Sequence, residues 1–594
     1  MKGKYVQKLS RYRIKLLVIA LLALIVFGSL ITTSLNSYNI NDINDDDLLS
    51  SNSQLSEYHN HLIDDPKNKP TIIPTDSDQE SKELKESKKH LFWNTIFEIF
   101  DSNKIDDSIG TLIEITDKSE HLEGPKTKKA LLSRAKMSDE VVAELKRKHK
   151  RVVESLPNSI PNVMYKKDTT GAVFIGGARF SWLTYLAILS LRETGSKLPI
   201  EVIMPIRDDY EKEKEYCDVL LPELGARCVI VPDELGETTV KGRKLFAYQF
   251  KSIALAISSF QNILLLDSDN MLVSNPDVVF QSRLYQRYGM ITWPDYWKRT
   301  IYPKYYDIAD IQVNDHKRLR YDRFPLYEPI NSHGALNVKS EDEVPFHDLE
   351  HAVPDLSTES GQLMINKATH GRTILLSLYY NIYGPDIFYK LFSLGEQGEG
   401  DKDTFVTAAT VNQQSYYQVK SFIKSPGYFD KDGKFQGVAM AQKNPLVDEQ
   451  LFNDIIVDYF EKLGRTMSVA DQIKRLDALA QDDFNSHNGV PIFALHCNHP
   501  KLDPLDYMTK ENIYDSTENK LKYRLYDKLH YDKIIKSDTG QEKIIKTDFE
   551  FEQWLHMKDV LCLKKLQFEH FKKSDIDRVC EFINNQVEWL QPQI

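Results

Sequence analysis

Two aspartates separated by one residue, Asp267 and Asp269, are the side chains of this sequence that best fit a defined chemistry. Carboxylate oxygens are hard ligands for Mg²⁺ or Mn²⁺. Such an ion can also hold a diphosphate and offset the charge that develops when the diphosphate leaves. In a regular strand the two side chains would point to opposite faces, so both can reach one ion only if the chain bends there. The spacing therefore predicts a divalent-cation site at a bend.

The surrounding sequence separates this pair from an identical tripeptide elsewhere. Asp76-Ser77-Asp78 lies in a polar segment, where solvated charge is the expected role. Asp267 instead follows the apolar run 263–266, and turn-forming residues come after Asp269. This context predicts a buried strand that ends at the pair.

The segments before the pair alternate between strand and helix patterns. Apolar runs predict strands at 172–175, 200–204, 226–231 and 263–266, and apolar residues at helical spacing predict helices across 182–189, 210–221 and 246–260. This alternation predicts an α/β fold with a mostly parallel central sheet flanked by helices. Sheets of this kind bind ligands beyond the carboxyl ends of their strands, which is where Asp267 begins.

The N-terminus has the pattern of a membrane anchor. Residues 1–15 carry six basic and no acidic side chains, and residues 16–35 carry no charge. As a helix this segment would rise roughly 30 Å, enough to cross a hydrocarbon core. The pattern predicts a cytosolic tail at 1–15, a transmembrane signal-anchor at 16–35 and a lumenal remainder. A cleaved signal peptide is the alternative, but the apolar stretch is long for one and lacks a small-residue cleavage site.

Composition predicts the organisation of the remaining chain. Polar and charged residues dominate after the anchor and predict a flexible lumenal stem, placed at 36–130, before a single lumenal domain at 131–594. This domain is expected to end in a helical part from about residue 505. The net charge of −11 argues against a nucleic-acid partner. Five cysteines suit an oxidising lumen, and proximity in sequence pairs Cys217 with Cys228 and Cys562 with Cys580.

Several blocks of the sequence resemble the fungal Golgi type II α-1,2-mannosyltransferases, a family that builds side branches of N-glycan mannan and is related to the fungal α-1,3-mannosyltransferases. The blocks are KLFAYQFKSIALAISSFQNILLLDSDNMLVSNPD (244–277), GGARF (176–180), TWPDYW (292–297), ESGQLMINK (359–367), GEGDKDTF (398–405) and HCNHPK (496–501). The similarity covers roughly residues 165–590.

This resemblance implies a GT-A-like nucleotide-sugar-binding fold and transfer of mannose with retention of the α configuration. The donor would be GDP-mannose, the cofactor Mn²⁺, and the acceptor α-mannose of the N-glycan outer-chain mannan of the cell wall. The resemblance also implies a single-pass protein of the Golgi membrane, with its catalytic domain in the lumen, and participation in a Golgi glycosyltransferase complex.

The resemblance further assigns roles to polar residues. Asp267 and Asp269 would hold the metal, with Asp267 also near the ribose. His496 would complete the site, with a structural role for this histidine as the alternative and His499 as a rival ligand. Asp401 and Asp403 would face sugar and acceptor, with helix capping as the alternative. Glu359 would meet the acceptor or the mannosyl ring, with a role as surface charge as its alternative.

Cations and aromatic residues complete the candidate site. A cation beside the diphosphate would stabilise the leaving group, and the candidates for this role are Arg179, Lys244 and Lys251. The alternative is that the lysines are solvated side chains on the surface of a helix. The block 292–297 also contains the aromatic residues Trp293, Tyr296 and Trp297. They are expected either to form an apolar platform for the face of a sugar or guanine ring, or to lie in the core.

Two other functions stay open on the sequence. An α-1,3-mannosyltransferase, or a transferase of another nucleotide sugar, would share the same metal chemistry. A non-catalytic subunit of a mannan-building complex would have lost metal ligands, yet Asp267, Asp269 and His496 are all present. The presence of these ligands favours an enzyme.

Overall fold

The structure of the protein, a computed structural model, describes residues 82–116, 124–486, 489–536 and 541–591. The predicted tail, the predicted anchor at 16–35 and the predicted stem up to residue 81 lie outside the described residues. Within the described ranges, no helix combines the length and the apolar character needed to cross a bilayer.

Fourteen strands build the sheets and hairpins used below. In chain order they are β1 (Lys166–Ile175), β2 (Ile200–Met204), β3 (Ala226–Ile230), β4 (Phe260–Leu266), β5 (Asn270–Leu272), β6 (Met290–Pro294), β7 (Thr358–Asn366), β8 (Tyr417–Gln418), β9 (Gly427–Phe429), β10 (Phe435–Gly437), β11 (Met440–Lys443), β12 (Ile492–His496), β13 (His530–Lys536) and β14 (Glu542–Asp548). Short pairs also join Glu114–Ile115 to Ala135–Lys136, Asn314–Arg318 to Leu349–Glu350, Arg320–Tyr321 to Phe324–Pro325, and Tyr514–Asp515 to Lys520–Leu521.

The central sheet has seven strands in the order β8-β6-β7-β4-β1-β2-β3. Strands β1 to β4 pair in parallel, as do β6 and β8, whereas β7 runs antiparallel to both of its neighbours. The predicted α/β class is confirmed, and the single reversed strand makes the sheet mixed. A second sheet, in the order β11-β12-β5, is antiparallel throughout.

Within the part of the chain that the structure describes, ten α-helices have eight or more residues each. They are α1 (Lys82–Ser102), α2 (Asp139–Ser155), α3 (Arg179–Glu193), α4 (Gln249–Ile257), α5 (Lys367–Ile382), α6 (Thr404–Val411), α7 (Pro445–Phe452), α8 (Val469–Leu479), α9 (Phe549–Met557) and α10 (Lys573–Leu590). Shorter helical segments lie at Asp107–Thr111, Lys128–Ser133, Asn162–Met164, Arg207–Lys212, Tyr216–Leu220, Leu221–Glu223, Val231–Leu235, Glu237–Val240, Asp277–Phe280, Arg283–Tyr288, Pro303–Ile308, Phe346–Asp348, Gly384–Phe388, Tyr389–Ser393, Glu461–Gly464, Ala480–Phe484, Pro504–Tyr507 and Lys558–Leu563, and a π-helical segment covers Asn453–Phe460.

The central sheet is buried on both faces, because alternate strand residues belong to two different cores. Val173 and Leu265 lie in one core with helices α1, α2, α4 and α5, whereas Phe174 and Leu264 lie in the other with α3, α9 and α10. Successive side chains of a strand point to opposite faces, so continuous apolar strands require a helix layer on each side. The result is a three-layer arrangement that leaves the sheet edge at the strand ends open for ligands.

Two predictions about organisation are wrong. The described part of the predicted stem is folded, because Trp93, Ile96 and Phe100 of α1 are buried in the first core. The first residues of this helix are mostly polar, so composition alone did not indicate the apolar face that its later residues form at helical spacing. The part after residue 505 contains the β13–β14 hairpin as well as helices α9 and α10, so it is only partly helical.

The predicted disulfides are both present. Cys217 is bonded to Cys228 and Cys562 to Cys580, while Cys497 is a buried free thiol.

Candidate active site

A cavity of about 1030 Å³ lies at the open edge of the central sheet. The carboxyl ends of β1, β2, β4 and β6 reach this edge, and so does the amino end of the reversed strand β7. Strands β1 to β3 progress in one direction from β1, whereas β4 lies on its other side, so the connections diverge between β1 and β4. In α/β sheets the crevice at such a point is where ligands bind.

The bend that two cooperating aspartates need is present. Strand β4 ends at Leu266, and the backbone N–H of Asn270 donates to the carbonyl of Asp267 across a tight turn (3.0 Å). The chain then enters β5, which belongs to the second sheet. Because the pair lies at the junction of two sheets, the carboxylates of Asp267 and Asp269 both line the cavity.

His496 reaches the pair through strand pairing. It ends β12 and lies opposite Asn270 of β5, so its ring is beside Asp269, with Nε2 3.3 Å from Oδ1 of that aspartate. Its other nitrogen, Nδ1, lies 3.0 Å from a carboxylate oxygen of Glu359. A side chain on Gly361 would come within 2.7 Å of this nitrogen, which explains the glycine in the ESGQ block.

Two lysines offset part of the negative charge of the carboxylates. The Lys251 ammonium lies 2.9 Å from Asp267 and 3.4 Å from Asp401, and also donates to the Ser360 carbonyl. Lys501, on the loop after β12, forms an ion pair with Asp269. Four carboxylates, counting Glu359, therefore face two ammonium groups and one imidazole.

Burial and charge shift the pKa values of these groups in different directions. Burial raises the pKa of Asp401 to about 6, although Lys251 opposes this. Burial would also raise the pKa of Asp269, but the charges of His496 and Lys501 hold it well below its ordinary range. Burial would lower the pKa of His496, but Asp269 and Glu359 raise it well above its ordinary value. These two carboxylates thus favour the protonated imidazole.

The donor set fits a divalent metal ion. One ligand atom each from Asp267, Asp269 and His496 lie within 4.8 Å of one another. Two carboxylate oxygens and an imidazole nitrogen suit Mn²⁺ and related ions. Glu359 would accept the Nδ1 proton and fix the ring with Nε2 facing the ion, a common arrangement behind metal-binding histidines. Binding of a dication with loss of the imidazole proton would leave the cluster formally neutral.

Comparison with known proteins identifies the family. The family model described as a mannosyltransferase (Mannosyl_trans3) matches residues 169–444, the segment that carries most of the cavity. The chain is 55% identical to α-1,2-mannosyltransferase MNN23 of Candida albicans over 84% of each chain. It is 43% identical to MNN22 of the same organism over 86% of this chain and 87% of that protein. It is 36% identical to MNN2 of Saccharomyces cerevisiae over 77% and 75%, respectively.

This chain belongs to the fungal α-1,2-mannosyltransferase family. It is a glycosyltransferase, which confirms the family resemblance of its sequence blocks.

The two aspartates of the GDKDTF segment have different positions in this mannosyltransferase. Asp401 lines the cavity and accepts a hydrogen bond from the Ser360 hydroxyl (3.1 Å). Asp403 does not line it and is fully buried in an ion pair with Arg299 (2.5 Å). Although Asp403 precedes α6, its carboxylate makes no capping bond to that helix. The role of Asp401 toward sugar and acceptor stays a prediction that its place in the cavity wall allows, whereas Asp403 lies outside the cavity lining and cannot have that role.

The predicted cations also differ in position. Arg179 begins α3 and lines the cavity beside the Gly176-Gly177 turn. Lys251 lines it too, but its ammonium is held by Asp267 and Asp401 rather than directed toward an incoming phosphate. Lys244 is exposed and lies outside the cavity lining, which contradicts its predicted role.

The aromatic residues of the TWPDYW block separate in the same way. Trp293 is buried in the core, where it stacks on Phe493 at 5.3 Å. Tyr296 and Trp297 line the cavity. Residues 293 and 294 are the last of β6, so the chain leaves the sheet and reaches the cavity within two residues.

Several functional candidates were missed from the sequence. Lys501 belongs to the HCNHPK block, yet its pairing with Asp269 depends on the fold of the loop after β12. Asp295 and Lys402 form an ion pair (3.0 Å) in the cavity wall and lie in two blocks separated by more than a hundred residues in the chain. Because these residues lie in the blocks that resemble the family, the sequence could have marked them as candidates. It could not have shown which of them form ion pairs.

The protonated state of His496 predicts a pH dependence of metal binding. An imidazolium cannot coordinate an ion, so a bound Mn²⁺ must displace a proton. Because the pKa of His496 is raised, Mn²⁺ binding should tighten as pH rises through the neutral range, by up to about tenfold per pH unit for one proton. Calorimetric titration of the full-length protein would measure this trend. His496→Gln should bind the ion weakly and with little pH dependence, and an equally flat profile for the wild type would contradict the assignment.

Proposed function

We propose that this enzyme transfers mannose from GDP-mannose to α-mannose acceptors and forms α-1,2 branches on the N-glycan mannan of the cell wall, with retention of the α configuration. The observation that best supports this proposal is that Asp267, Asp269 and His496 meet at the edge of an α/β sheet in a chain of this family. We assign the sheet and its crevice to a GT-A-type nucleotide-sugar-binding fold.

Mn²⁺ is the proposed cofactor, held by Asp267, Asp269 and His496. When bound, such an ion offsets the negative charge that develops on a departing diphosphate. Arg179 would add a second positive group at the start of α3, whose N-terminus also favours an anion. Burial raises the pKa of Asp267, and the Lys251 ammonium beside that carboxyl opposes the shift.

The order of the strands predicts how the substrates divide the cavity. The nucleoside would occupy the crevice between β1 and β4, next to the Gly176-Gly177 turn. Strand β6 lies on the other side of β4, separated from it by β7, and its end places Asp295, Tyr296 and Trp297 in the cavity wall. The acceptor mannose would bind on this side of the cavity, whose lining also contains Glu359 and Asp401.

We also propose that the protein resides in the Golgi membrane as a single-pass type II protein and acts within a glycosyltransferase complex there. The support is the basic segment 1–15 followed by the uncharged segment 16–35. Protease treatment of intact microsomes should leave the chain after residue 35 protected. Digestion of the catalytic domain without detergent would contradict this topology.

An assay of sugar transfer to an acceptor tests the proposed function directly. Purified full-length protein is incubated with a panel of sugar nucleotides, Mn²⁺ and an α-mannose oligosaccharide, and the linkage of the product is determined. We expect transfer from GDP-mannose, loss of transfer in chelator, recovery with Mn²⁺ and an α-1,2 product. An α-1,3 product or preference for another donor would support the alternative transferases. Absence of transfer in every condition would favour a non-catalytic subunit.

A further inference from the structure

A β-hairpin at the rim of the cavity carries two exposed phenylalanines. Its strands are β9 and β10, in which Phe429 lies directly opposite Phe435. The side chains are 67% and 44% exposed, and their rings meet edge to face at 5.4 Å. Exposed apolar area is unfavourable in water, so two adjacent phenylalanines on one surface point to a binding role.

The hairpin is firmly held, so the exposure of these rings does not come from loose packing. Tyr428, on the opposite face of β9, is buried and stacks on Tyr523 with a ring separation of 4.7 Å. At the turn, the Asp430 carboxylate accepts hydrogen bonds from the backbone N–H groups of Asp432 and Lys434. The two phenylalanines are therefore presented on a preorganised support, which lowers the entropy cost of binding.

The phenylalanine face is continuous with the cavity. Gly437 lines the cavity, and Phe435 lies two residues before it in β10, so both are on the same face of the strand. A Cβ on Gly437 would be 3.8 Å from the Phe435 ring, and a Cβ on Gly427 would collide with it at 2.7 Å. The two glycines leave space for this ring to lie over the hairpin backbone. The Phe435 ring therefore lies next to Gly437, at the cavity wall.

We infer that Phe429 and Phe435 form a subsite for the inner sugar residues of an extended α-mannose acceptor, outside the cavity that holds the reacting mannose. This inference rests on the proposed function. The apolar C–H face of a pyranose matches an aromatic ring, and a chain of sugars that leaves the cavity past Gly437 meets these rings next. Longer acceptors therefore gain contacts that a single mannose cannot make.

The charges at the tip favour a glycan over a lipid surface as the occupant. Membrane-binding segments pair apolar residues with an excess of basic residues that attract anionic headgroups. Here the tip combines two acidic and two basic residues, Asp430, Lys431, Asp432 and Lys434. A neutral oligosaccharide is compatible with this balanced charge.

The test compares acceptors of increasing length. Full-length protein with GDP-mannose and Mn²⁺ is given methyl α-mannoside or linear α-mannose oligosaccharides, and kcat and KM are measured for the wild type and for the double variant Phe429→Thr, Phe435→Thr. Threonine keeps the strand propensity of the hairpin. Lys431→Thr, at the same tip, and Tyr459→Ser, an exposed aromatic outside the cavity lining, are the matched controls.

We expect wild-type kcat/KM to rise with acceptor length, and the double variant to lose about tenfold of that rise, which corresponds to about 1.4 kcal/mol. The loss should appear in KM, with methyl α-mannoside used equally well by both proteins and with both controls like the wild type. An unchanged length dependence in the double variant would overturn the subsite alone. Loss of binding to phosphatidylserine-containing vesicles with unchanged length dependence would assign the face to a membrane instead. Failure of the wild type on every acceptor would overturn the proposed function itself.

Discussion

Changing Asp267 and Asp269 together to asparagine should reduce kcat/KM by at least about a thousandfold, or roughly 4 kcal/mol of transition-state stabilisation. Asparagine has nearly the same shape but lacks the charge that would hold a divalent cation. Without the cation, the site lacks the divalent positive charge that would lie beside the diphosphate, and His496 cannot replace it. The binding of GDP, measured by calorimetry in the presence of Mn²⁺, should weaken in the same variant.

The chain contains a matched control for this experiment. Asp76 and Asp78 flank a serine in the same tripeptide, and their double change to asparagine should leave kcat/KM unchanged. Both variants carry the same chemical change and differ only in its position. Comparable losses in the two variants would show that the site does not lie at residues 267–269.

Changing Asp403 to alanine should lower the free energy of unfolding by about 3–5 kcal/mol, because it leaves the buried Arg299 guanidinium without its carboxylate. The same carboxylate also accepts hydrogen bonds from the Ser357 hydroxyl and the Thr358 N–H, and these are lost as well. Denaturant unfolding of the purified protein would measure the difference.

Asp401→Asn is the comparison that separates the two aspartates. Asp401 already has a raised pKa, so its charge adds little to stability, and removing it should change the free energy of unfolding much less. Its position in the cavity predicts a loss of activity instead. A stable Asp403→Ala variant with strongly reduced kcat would return Asp403 to the catalytic group and contradict the structural assignment.

The sequence predicted the elements that have a strong local signal. The apolar run 200–204 is the strand Ile200–Met204, and the strand before Asp267 ends at Leu266 as its context required. The helix predicted across 246–260 is shorter, Gln249–Ile257, because Phe260 begins β4 and continues the apolar pattern into a strand. Periodicity alone could not mark the point where the helix ends and the strand begins.

What the sequence could not predict were contacts made by distant segments. The reversal of β7 and its pairing with β4 bring Glu359 to the edge where Asp267 lies, and no local pattern encodes a strand direction. Likewise, Lys251 lies on a helix where a solvated lysine is the usual expectation, and nothing in the sequence indicated that it is buried beside Asp267. The sequence also did not indicate that Asp403 pairs with Arg299. Such ion pairs form because burial leaves each charge without water, which depends on the complete fold.

The central claim is that Asp267, Asp269 and His496 hold a divalent cation that binds the donor diphosphate. Crystals of the protein grown with Mn²⁺ and GDP, with anomalous scattering measured at the manganese absorption edge, test it most directly. We predict one strong anomalous peak within about 2.0–2.3 Å of an oxygen of each aspartate and Nε2 of His496, with the diphosphate as a further ligand. A peak at another position, or bound GDP with Lys501 still paired to Asp269 and no manganese beside it, would contradict the claim.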